Sequence, residues 1–447
     1  MALIAIASAL TACNSSEIAS DAEEMTSISE AKVSQTNEKA FEVYTPQTNW
    51  PLTSEQLQQV GSVNDFSLRL MRLVQEQGKS LVFSPLSLGY AMGMTGLGCD
   101  GMALKELNEA LGLPANDRTS LHDLYASLME NLPKVDKDVS LHLANAFFMN
   151  SGRDDVEINP AFKQSLMDGY KAACEILDFS DEESLNYINN WAARQTKGFI
   201  PSLLDRLEEY DIAMLLNALY FKADWTFPFD SNYTEEGDFS CENGEVTKIP
   251  FMYLGEPMDV KYAEDDLCQA VTLPYANRKF GMTVLLPREG KTVNDVLQTL
   301  SSEQLSKLAK SMKWKDVFVT MPRFDTKSTT RLVEPLEQAG LPSWFDDACL
   351  LRGLVQEHDG RPHCVYVSNA FQVGHIKVNE KGTEAAAVTV ISYTDKGWGG
   401  ETIQFVANHP FVYLITEEDT GVILFVGTYH GDPMGSGDTT GITPIHM

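Results

Sequence analysis

Ser368, His375 and Asp419 carry side chains that could serve as the nucleophile, base and orienting acid of a hydrolase. Such a set would attack a carbonyl carbon through the serine oxygen. Their spacing does not favour a triad, and the chain lacks the G-x-S-x-G, H-E-x-x-H, P-loop and G-x-G-x-x-G signatures. Because triad members can be scattered along a chain, these absences weaken an enzyme hypothesis without excluding it. We expect structural roles for the three residues and no enzyme activity.

A second feature is a dense basic run around Trp314, formed by Lys307, Lys310, Lys313 and Lys315. Apolar Leu305 and Leu308 on the other side predict that the lysines are the solvated face of an amphipathic helix, with a polyanion site as the less favoured alternative. Over the whole chain, 34 Lys and Arg stand against 63 Asp and Glu, a net charge of -29. This balance argues against nucleic-acid and anionic-membrane partners, because proteins that bind them supply cations.

The segment from Val378 to Gly400 connects two strand candidates, Phe371 to Val378 and one beginning near Thr402. Connections of this length are usually functional or disordered. Taken in steps of two, one side is small and uncharged, and it consists of Thr383, Ala385, Ala387, Thr389 and Ile391. No proline interrupts the segment, so its backbone could join a sheet, and Gly382 would let the chain bend where it enters. The pattern predicts a loop that can be buried as a strand between existing strands, with an ordinary edge strand as the alternative.

The amino end has a short apolar run, Leu3 to Leu10, followed by Thr11, Ala12 and Cys13. The run is too short to span a bilayer. Small residues before a single cysteine are typical of a bacterial lipoprotein signal, in which the chain is cut before Cys13 and that residue receives lipid. No Lys or Arg precedes the run, which departs from such signals. The alternative is a degenerate secretory leader with an incidental cysteine.

Residues 14–49 are rich in Ser, Thr, Ala and acidic side chains, and we expect a solvated tether there. The seven cysteines include no C-x-x-C or C-x-x-H pair and predict neither a disulfide framework nor a zinc site. We expect no metal and no cofactor. The predicted location is secreted or in a bacterial cell envelope, with membrane contact only through lipid on Cys13.

Between about Trp50 and Pro433 helical patterns alternate with short β-prone runs, without a repeat or low-complexity break. Helices are predicted over Met102 to Gly112 and after Ser301, which forms a candidate capping box with Gln304. The predicted strands are Met282 to Leu286, Val317 to Met321, Phe411 to Ile415 and Val422 to Val426, the last two as a hairpin. Mixed elements without regular βαβ alternation predict an α+β fold.

The stretch Val-Asn-Glu-Lys-Gly-Thr-Glu-Ala-Ala-Ala at 378–387 resembles the hinge of inhibitory serpins. Further segments are similar to serpin motifs and follow the family order over about residues 50–433. They are Phe83 to Ser87, Asn189 to Gly198, Asn217 to Lys222 with Trp225 and Phe229, Pro322 to Phe324, Asn408 to Phe411, and Gly421 to Gly427. The resemblance implies a single serpin domain over 50–433, with three β-sheets, eight or nine helices and an exposed reactive-centre loop. Residues 1–13 would be the signal, 14–49 the tether and 434–447 a tail.

In this family a protease attacks the loop as a suicide substrate and forms an acyl-enzyme, and the cleaved loop then inserts into sheet A and traps the enzyme. The resemblance implies a hinge formed by Glu380, Lys381, Gly382, Thr383, Glu384, Ala385, Ala386 and Ala387. The family register places the reactive bond between Lys396 and Gly397, and a lysine there implies a trypsin-like target. Tyr393 and Trp398 leave chymotrypsin-like bonds open.

The resemblance also implies a polar network beneath sheet A, formed by Ser84, Ser87, Asn217 and Gln372, with Trp225 near the hinge. Inhibitory serpins often have histidine where this chain has Gln372. An amide can still bridge polar groups, but the departure puts the network in question.

The leading prediction is a monomeric, secreted, lipid-anchored inhibitor whose partner is a serine protease held in a covalent acyl complex. Two alternatives stay open. One is a non-inhibitory serpin that acts as a surface binding module, and the other is an inhibitor of chymotrypsin-like, elastase-like or cysteine proteases. An enzyme on the same fold has no supporting motif.

Overall fold

The structure, a computed structural model, describes residues 52–153, 156–346, 351–356, 365–383 and 403–432. The α-helices within these ranges are α1 (Ser54–Val74), α2 (Pro85–Gly96), α3 (Gly101–Ala110), α4 (Ser120–Asn131), α5 (Pro160–Tyr170), α6 (Glu182–Gln195), α7 (Val293–Thr299), α8 (Ser302–Ser311) and α9 (Val333–Gln338). Nine helices in the described part of the chain agree with the expected eight or nine.

Seven of the nine helices in the described ranges begin at a side chain that accepts a free amide N–H group of the first turn, and α4 and α9 do not. Thr53 caps α1 and forms a complete capping box with Gln56. Ser84 caps α2, whose first residue is Pro85. At α8, Ser301 accepts a hydrogen bond from the Gln304 amide at 3.2 Å, which is one half of the predicted capping box, and the structure shows no return bond from the Gln304 side chain.

The strands are short and carry the β-prone runs of the sequence. They are β1 (Leu81–Phe83), β2 (Ser140–Asn150), β3 (Ala173–Leu177), β4 (Ala213–Asp224), β5 (Glu235–Ser240), β6 (Val246–Met252), β7 (Met258–Glu264), β8 (Cys268–Tyr275), β9 (Phe280–Pro287), β10 (Lys313–Pro322), β11 (Phe324–Arg331), β12 (Phe371–Asn379), β13 (Gly382–Thr383), β14 (Ile403–Val406), β15 (Phe411–Glu417) and β16 (Ile423–Tyr429). Three of the four strands predicted from β-propensity lie within one of these, the fourth begins one residue before β16 at Val422, and β15 pairs with β16 as the predicted hairpin.

Two hydrogen-bonded sheets organise these strands. One has six strands in the order β11-β12-β13-β4-β2-β3, and the other has ten, in the order β1-β16-β15-β9-β8-β7-β10-β6-β5 with β14 beside β10. Three sheets were expected. The larger sheet is continuous because β10 pairs with β7 through residues 313–317 and with β6 through Met321 and Pro322.

The six-stranded sheet has a different layer on each face. Its inner face, which includes Leu219 and Phe221 of β4, joins the main apolar core. On the outer face, Leu216 and Ala218 pack against α6 through Trp191 in a second, smaller cluster. Alternate residues of β4 therefore face two different environments.

None of the helices in the described ranges is both long enough and apolar enough to cross a membrane.

Candidate functional site

The two residues of β13 lie between β12 and β4 and are antiparallel to both. Val378 pairs with Thr383 on one side, and Ala223 pairs with Thr383 on the other. Within the described residues, β12 and β4 are hydrogen-bonded to each other only through this two-residue strand. Beyond Thr383 in the chain direction of β13, the edges of β4 and β12 that face each other pair with no described strand.

Gly382 occupies a position that has no room for a side chain. A Cβ atom there would lie 2.0 Å from the carbonyl oxygen of Ala223 and 2.7 Å from the Cα of Asp224. The sequence predicted a glycine that lets the chain bend. The structure gives another reason for glycine, namely the close approach of two backbones.

Thr383 is buried, with 3% of its surface exposed, and it lies on the inward face as the period-two pattern predicted. Its hydroxyl is hydrogen-bonded to the phenol of Tyr275 on β8, and burial raises the pKa of that phenol. The Tyr275 ring stacks on Trp225 with centroids 4.3 Å apart. Trp225 in turn donates from its indole nitrogen to the Asn379 carbonyl at 2.9 Å and from its backbone nitrogen to the Lys381 carbonyl at 2.6 Å. The end of β12 and the start of β13 are thus attached to both sheets.

Glu380 is the acidic residue of this turn, and its neighbours hold it in place. Its carboxylate accepts hydrogen bonds from Thr234 at 2.8 Å and from Arg323 at 3.4 Å, while its carbonyl accepts from the Phe229 amide at 2.8 Å. A surface cavity of about 500 Å³ adjoins this group and is lined by Ser231, Thr234, Arg323 and Glu380. Thr234 and Arg323 were not predicted as site residues, although Arg323 lies in a motif that the sequence analysis noted.

Ser84 and Gln372 form a reciprocal pair beneath the sheet. The Ser84 amide donates to the Gln372 side-chain oxygen at 2.7 Å, and the Gln372 side-chain nitrogen donates to the Ser84 carbonyl at 3.0 Å. The Ser84 hydroxyl donates to the Leu424 carbonyl at 2.7 Å and accepts from the Ser87 amide at 3.1 Å. The amide of Gln372 thus bridges β12 to the start of α2.

Asn217 stands apart from that pair, on the other side of the opening. Its side-chain nitrogen donates to the Asn145 side-chain oxygen at 2.8 Å, and its own side-chain oxygen is buried without a hydrogen-bond partner among the described residues. The structure therefore joins Ser84, Ser87 and Gln372 but leaves Asn217 outside, because the gap between β4 and β12 separates them.

A cavity of about 450 Å³ lies under this gap. Its lining includes polar Ser84, Asn217 and Gln372 together with apolar Leu88, Phe147 and Leu336. The lining mixes apolar and polar side chains, and an open space of this size can accept small side chains from a strand laid over it.

The three residues considered as a triad lie apart. His375 contacts Asp325 at 2.7 Å, Ser368 donates to Asp211 at 2.9 Å, and Asp419 forms an ion pair with Lys279 at 2.9 Å. Each of the three residues thus has a different partner, and the structure shows no hydrogen bond between Ser368 and His375.

The basic run around Trp314 spans the end of α8 and the start of β10, so the single amphipathic helix predicted for it was wrong: Lys313 and Lys315 lie on a strand because the backbone is already extended at Met312. Lys307 pairs with Glu303 one helical turn away, at 2.6 Å. The half-exposed Trp314 ring faces Arg278 and Lys261 at 4.8 and 5.9 Å. These contacts fit a solvated face.

Several predicted site residues lie outside the described residues. They are Cys13, Glu384, Ala385, Ala386, Ala387, Tyr393, Lys396, Gly397 and Trp398.

Comparison with known proteins decides the family. The family model described as "Serpin (serine protease inhibitor)" matches residues 61–431. The chain belongs to the serpin family. Serine protease inhibitor 2 of Anopheles gambiae is 31% identical to this serpin over 376 residues, which are 81% of this chain and 90% of that protein.

Solved serpin structures match over most of their length. The thermophilic serpin tengpin in its native state has a TM-score of 0.75 at 27% identity and covers 83% of this chain and 93% of its own. Human thyroxine-binding globulin, crystallised with its ligand, has a TM-score of 0.74 at 25% identity and covers 84% and 98%. The fold is therefore shared between a relative named as an inhibitor and one named for binding a small molecule.

Proposed function

We propose that this serpin inhibits a serine protease by inserting its cleaved loop between β4 and β12. The observation that carries the proposal is the position of β13, which already occupies the top of the gap between these strands. Relatives named as protease inhibitors support the same function.

The two ladders of β13 fix where later residues would lie if the strand were extended. One step along the loop moves each antiparallel partner one residue back. Ala385 would then lie between Phe221 and Ile376, and Ala387 between Leu219 and Gly374. These positions are on the inner face, so only small uncharged side chains fit without overpacking or burying charge.

The same register would bring Thr389 between Asn217 and Gln372. Both lie on the inner face, and the Asn217 side-chain oxygen has no partner among the described residues. A hydroxyl placed there can donate to that oxygen, and satisfying a buried acceptor stabilises the inserted form by roughly 1 kcal/mol or more. Insertion would thus complete the polar network that the gap now divides.

Acylation would take place at the carbonyl carbon of Lys396. The protease serine oxygen bonds to that carbon, the peptide bond to Gly397 breaks, and the amino group of Gly397 leaves with a proton from the enzyme. Loop insertion then displaces the ester-linked protease before water can hydrolyse the ester. The lysine favours a trypsin-like enzyme, since its ammonium group pairs with a carboxylate in the specificity pocket.

The decisive experiment mixes the purified serpin domain with trypsin, chymotrypsin or elastase and analyses the products on denaturing gels. We expect an SDS-resistant complex with trypsin and a released fragment that begins at Gly397. Fragments that begin at Thr394 or Gly399 would move the bond to Tyr393 or Trp398. Cleavage without any complex would refute trapping.

Two variants at Thr383 test whether insertion is the cause. Thr383→Arg places a charge on the inward face and should convert the inhibitor into a substrate. Thr383→Val keeps the shape and loses only the hydrogen bond to Tyr275, so it should still form the complex. Equal trapping by the wild type and the Arg variant would exclude insertion.

The second candidate function is non-inhibitory binding, which the similarity to thyroxine-binding globulin favours. It predicts that loop cleavage leaves no covalent complex and changes thermal stability little. The gel experiment therefore separates the two functions.

We further propose that the serpin acts as a monomer attached to a bacterial envelope through lipid on Cys13, so that the long acidic tether holds the inhibitor away from the surface. Metabolic labelling with palmitate should mark the wild type and not Cys13→Ser. Equal labelling of both would rule out this attachment.

A further inference from the structure

Phe199 lies across the gap on the outer face of the six-stranded sheet. It belongs to the connector, residues 196–212, which runs from the end of α6 to the start of β4. Its ring stacks on His375 of β12 with centroids 3.9 Å apart and planes inclined by 15°. It also meets Tyr220 of β4 edge-on, with centroids 6.2 Å apart. One ring therefore contacts the strands on both sides of the opening.

His375 holds this ring through its own polar contacts. One ring nitrogen is 2.9 Å from the Phe199 carbonyl oxygen, and the other is 2.7 Å from the Asp325 carboxylate on β11. The His375 side chain is only 9% exposed. Stacking and hydrogen bonding thus attach the same connector residue to β12.

The connector is also fixed on the side of β4. Lys197 has a positive φ of 52°. Its ammonium group lies 4.8 Å from the centre of the Tyr220 ring and donates a hydrogen bond to the Ser140 hydroxyl of β2 at 2.9 Å. Thr196 donates to the Ala192 carbonyl and accepts from the Ile200 amide. The turn that carries Phe199 is therefore held at both ends.

The register of β13 shows what Phe199 covers. An extended strand would place Ala386 between Tyr220 and His375, the two residues that Phe199 bridges. Its side chain would point outward, into the position of the Phe199 ring.

We infer that Phe199 and His375 form a clasp over the gap, and that this clasp must open before the loop can pass Ala386. The inference rests on the proposed insertion mechanism and identifies two residues that would limit the rate of insertion. Phe199 and His375 are positioning residues, because they set how fast the strand is accepted and touch no protease atom. Asp325 supports the clasp by holding the imidazole.

The test measures strand acceptance directly, without a protease. A fluorescent synthetic peptide with the sequence of residues 384–392, the part of the proposed strand that follows the occupied Thr383 position, is added to the intact serpin, and its uptake is followed by anisotropy. Phe199→Ala and His375→Val should each take up the peptide about tenfold faster than the wild type, since an aromatic pair and its hydrogen bond are lost. The double variant should be no faster than the faster single variant, because both remove one contact.

The matched control is Leu207→Ala, a truncation in the same connector whose side chain packs against the apolar cluster around Trp191 and does not line the cavity at the gap. It should leave the uptake rate unchanged within about twofold. If Phe199→Ala fails to fold, Phe199→Leu with His375→Val serves in its place. Three outcomes would each overturn the clasp. The wild type and both clasp variants could take up the peptide at equal rates, Leu207→Ala could accelerate uptake as much as the clasp variants do, or no form could take up the peptide.

A trypsin-trapping assay on the same variants tests the clasp separately from the proposed inhibition mechanism. Faster peptide uptake by the clasp variants without trapping by any form would keep the clasp and refute inhibition. Trapping with identical uptake rates would keep inhibition and refute the clasp.

Discussion

Among the glycines in the described ranges, Gly382 has the closest backbone atom to the place of a Cβ, namely the Ala223 carbonyl oxygen. Gly382→Ala should separate β13 from β4, lower the free energy of unfolding by about 1–3 kcal/mol and weaken protease trapping. Urea denaturation and complex formation on gels measure the two effects.

Gly61 in α1 provides the matched control for that substitution. A Cβ there would meet nothing closer than 3.8 Å, so Gly61→Ala should raise stability by roughly 0.5–1 kcal/mol through helix propensity. If both variants change stability equally, close packing is not the reason for Gly382.

Asp325 gives the site a pH dependence. Burial opposes its ionisation, but the hydrogen bond with His375 and the nearby Lys377 and Lys327 outweigh burial and lower the pKa of the carboxyl. A carboxyl with a lowered pKa in the folded state stabilises the fold above its unfolded pKa of about 3.9, and this contribution is lost as the pH falls through the folded value. Asp325→Asn should therefore be less stable than the wild type at pH 7, and the difference should shrink towards pH 3.

Urea titrations at both pH values test this expectation, with exposed Glu55→Gln as the control. A stability difference for Asp325→Asn that stays constant from pH 7 to pH 3 would contradict the role of the ionised carboxylate.

At the scale of single elements, β4 and β12 each carry a lysine on the outer face of the sheet, next to the gap that the proposed strand would fill. The register would place Glu384 between Lys222 and Lys377. Opposite charges on neighbouring strands contribute roughly 0.2–1 kcal/mol, and like charges oppose pairing by similar amounts. Glu384→Lys should therefore slow insertion and raise the number of serpin molecules consumed per trapped protease.

The double variant Lys222→Glu with Glu384→Lys tests the pairing, because it restores opposite charges and should recover most of the loss. Titration of trypsin activity gives the stoichiometry. Failure of the second substitution to improve it would mean that Glu384 does not reach Lys222.

The sequence predicted those elements whose signals are local. Ser301 was recognised as a helix cap, and the four strands with dense β-branched and aromatic residues were found within a few residues of their bounds. The alternation around Thr383 indicated its buried face, because strand period depends only on neighbouring residues.

Contacts between residues distant in the chain could not be predicted in this way. Tyr275 lies 108 residues from Thr383, and Phe199 lies 176 residues from His375. The same holds for the polar network that the family resemblance implied, because Asn217 and Gln372 line one cavity but have different hydrogen-bond partners. Spacing along a chain does not say whether two strands pair directly or leave room between them.

At the scale of the whole molecule, the proposed mechanism requires a cleaved form that is more stable than the intact one. Limited proteolysis within residues 384–400 should raise the midpoint of thermal unfolding strongly, because an added strand pairs on both edges and fills the cavity beneath. Circular dichroism during heating measures this change.

Cleaved Thr383→Arg is the control for that experiment, since the charged side chain should prevent insertion and keep the midpoint near that of the intact protein. A small increase in the wild type would favour the non-inhibitory function instead.

The two residues of β13 have a consequence for the speed of the proposed reaction. Forming the first rung of a ladder is the slow step of strand pairing, because chain entropy is lost before many hydrogen bonds are gained. Here the first residue pairs of the ladder already exist before a protease binds. They set the register, and therefore which side chains of the inserted strand face inward. Insertion would then proceed by propagation without a nucleation delay, which favours the serpin in its race against hydrolysis of the ester.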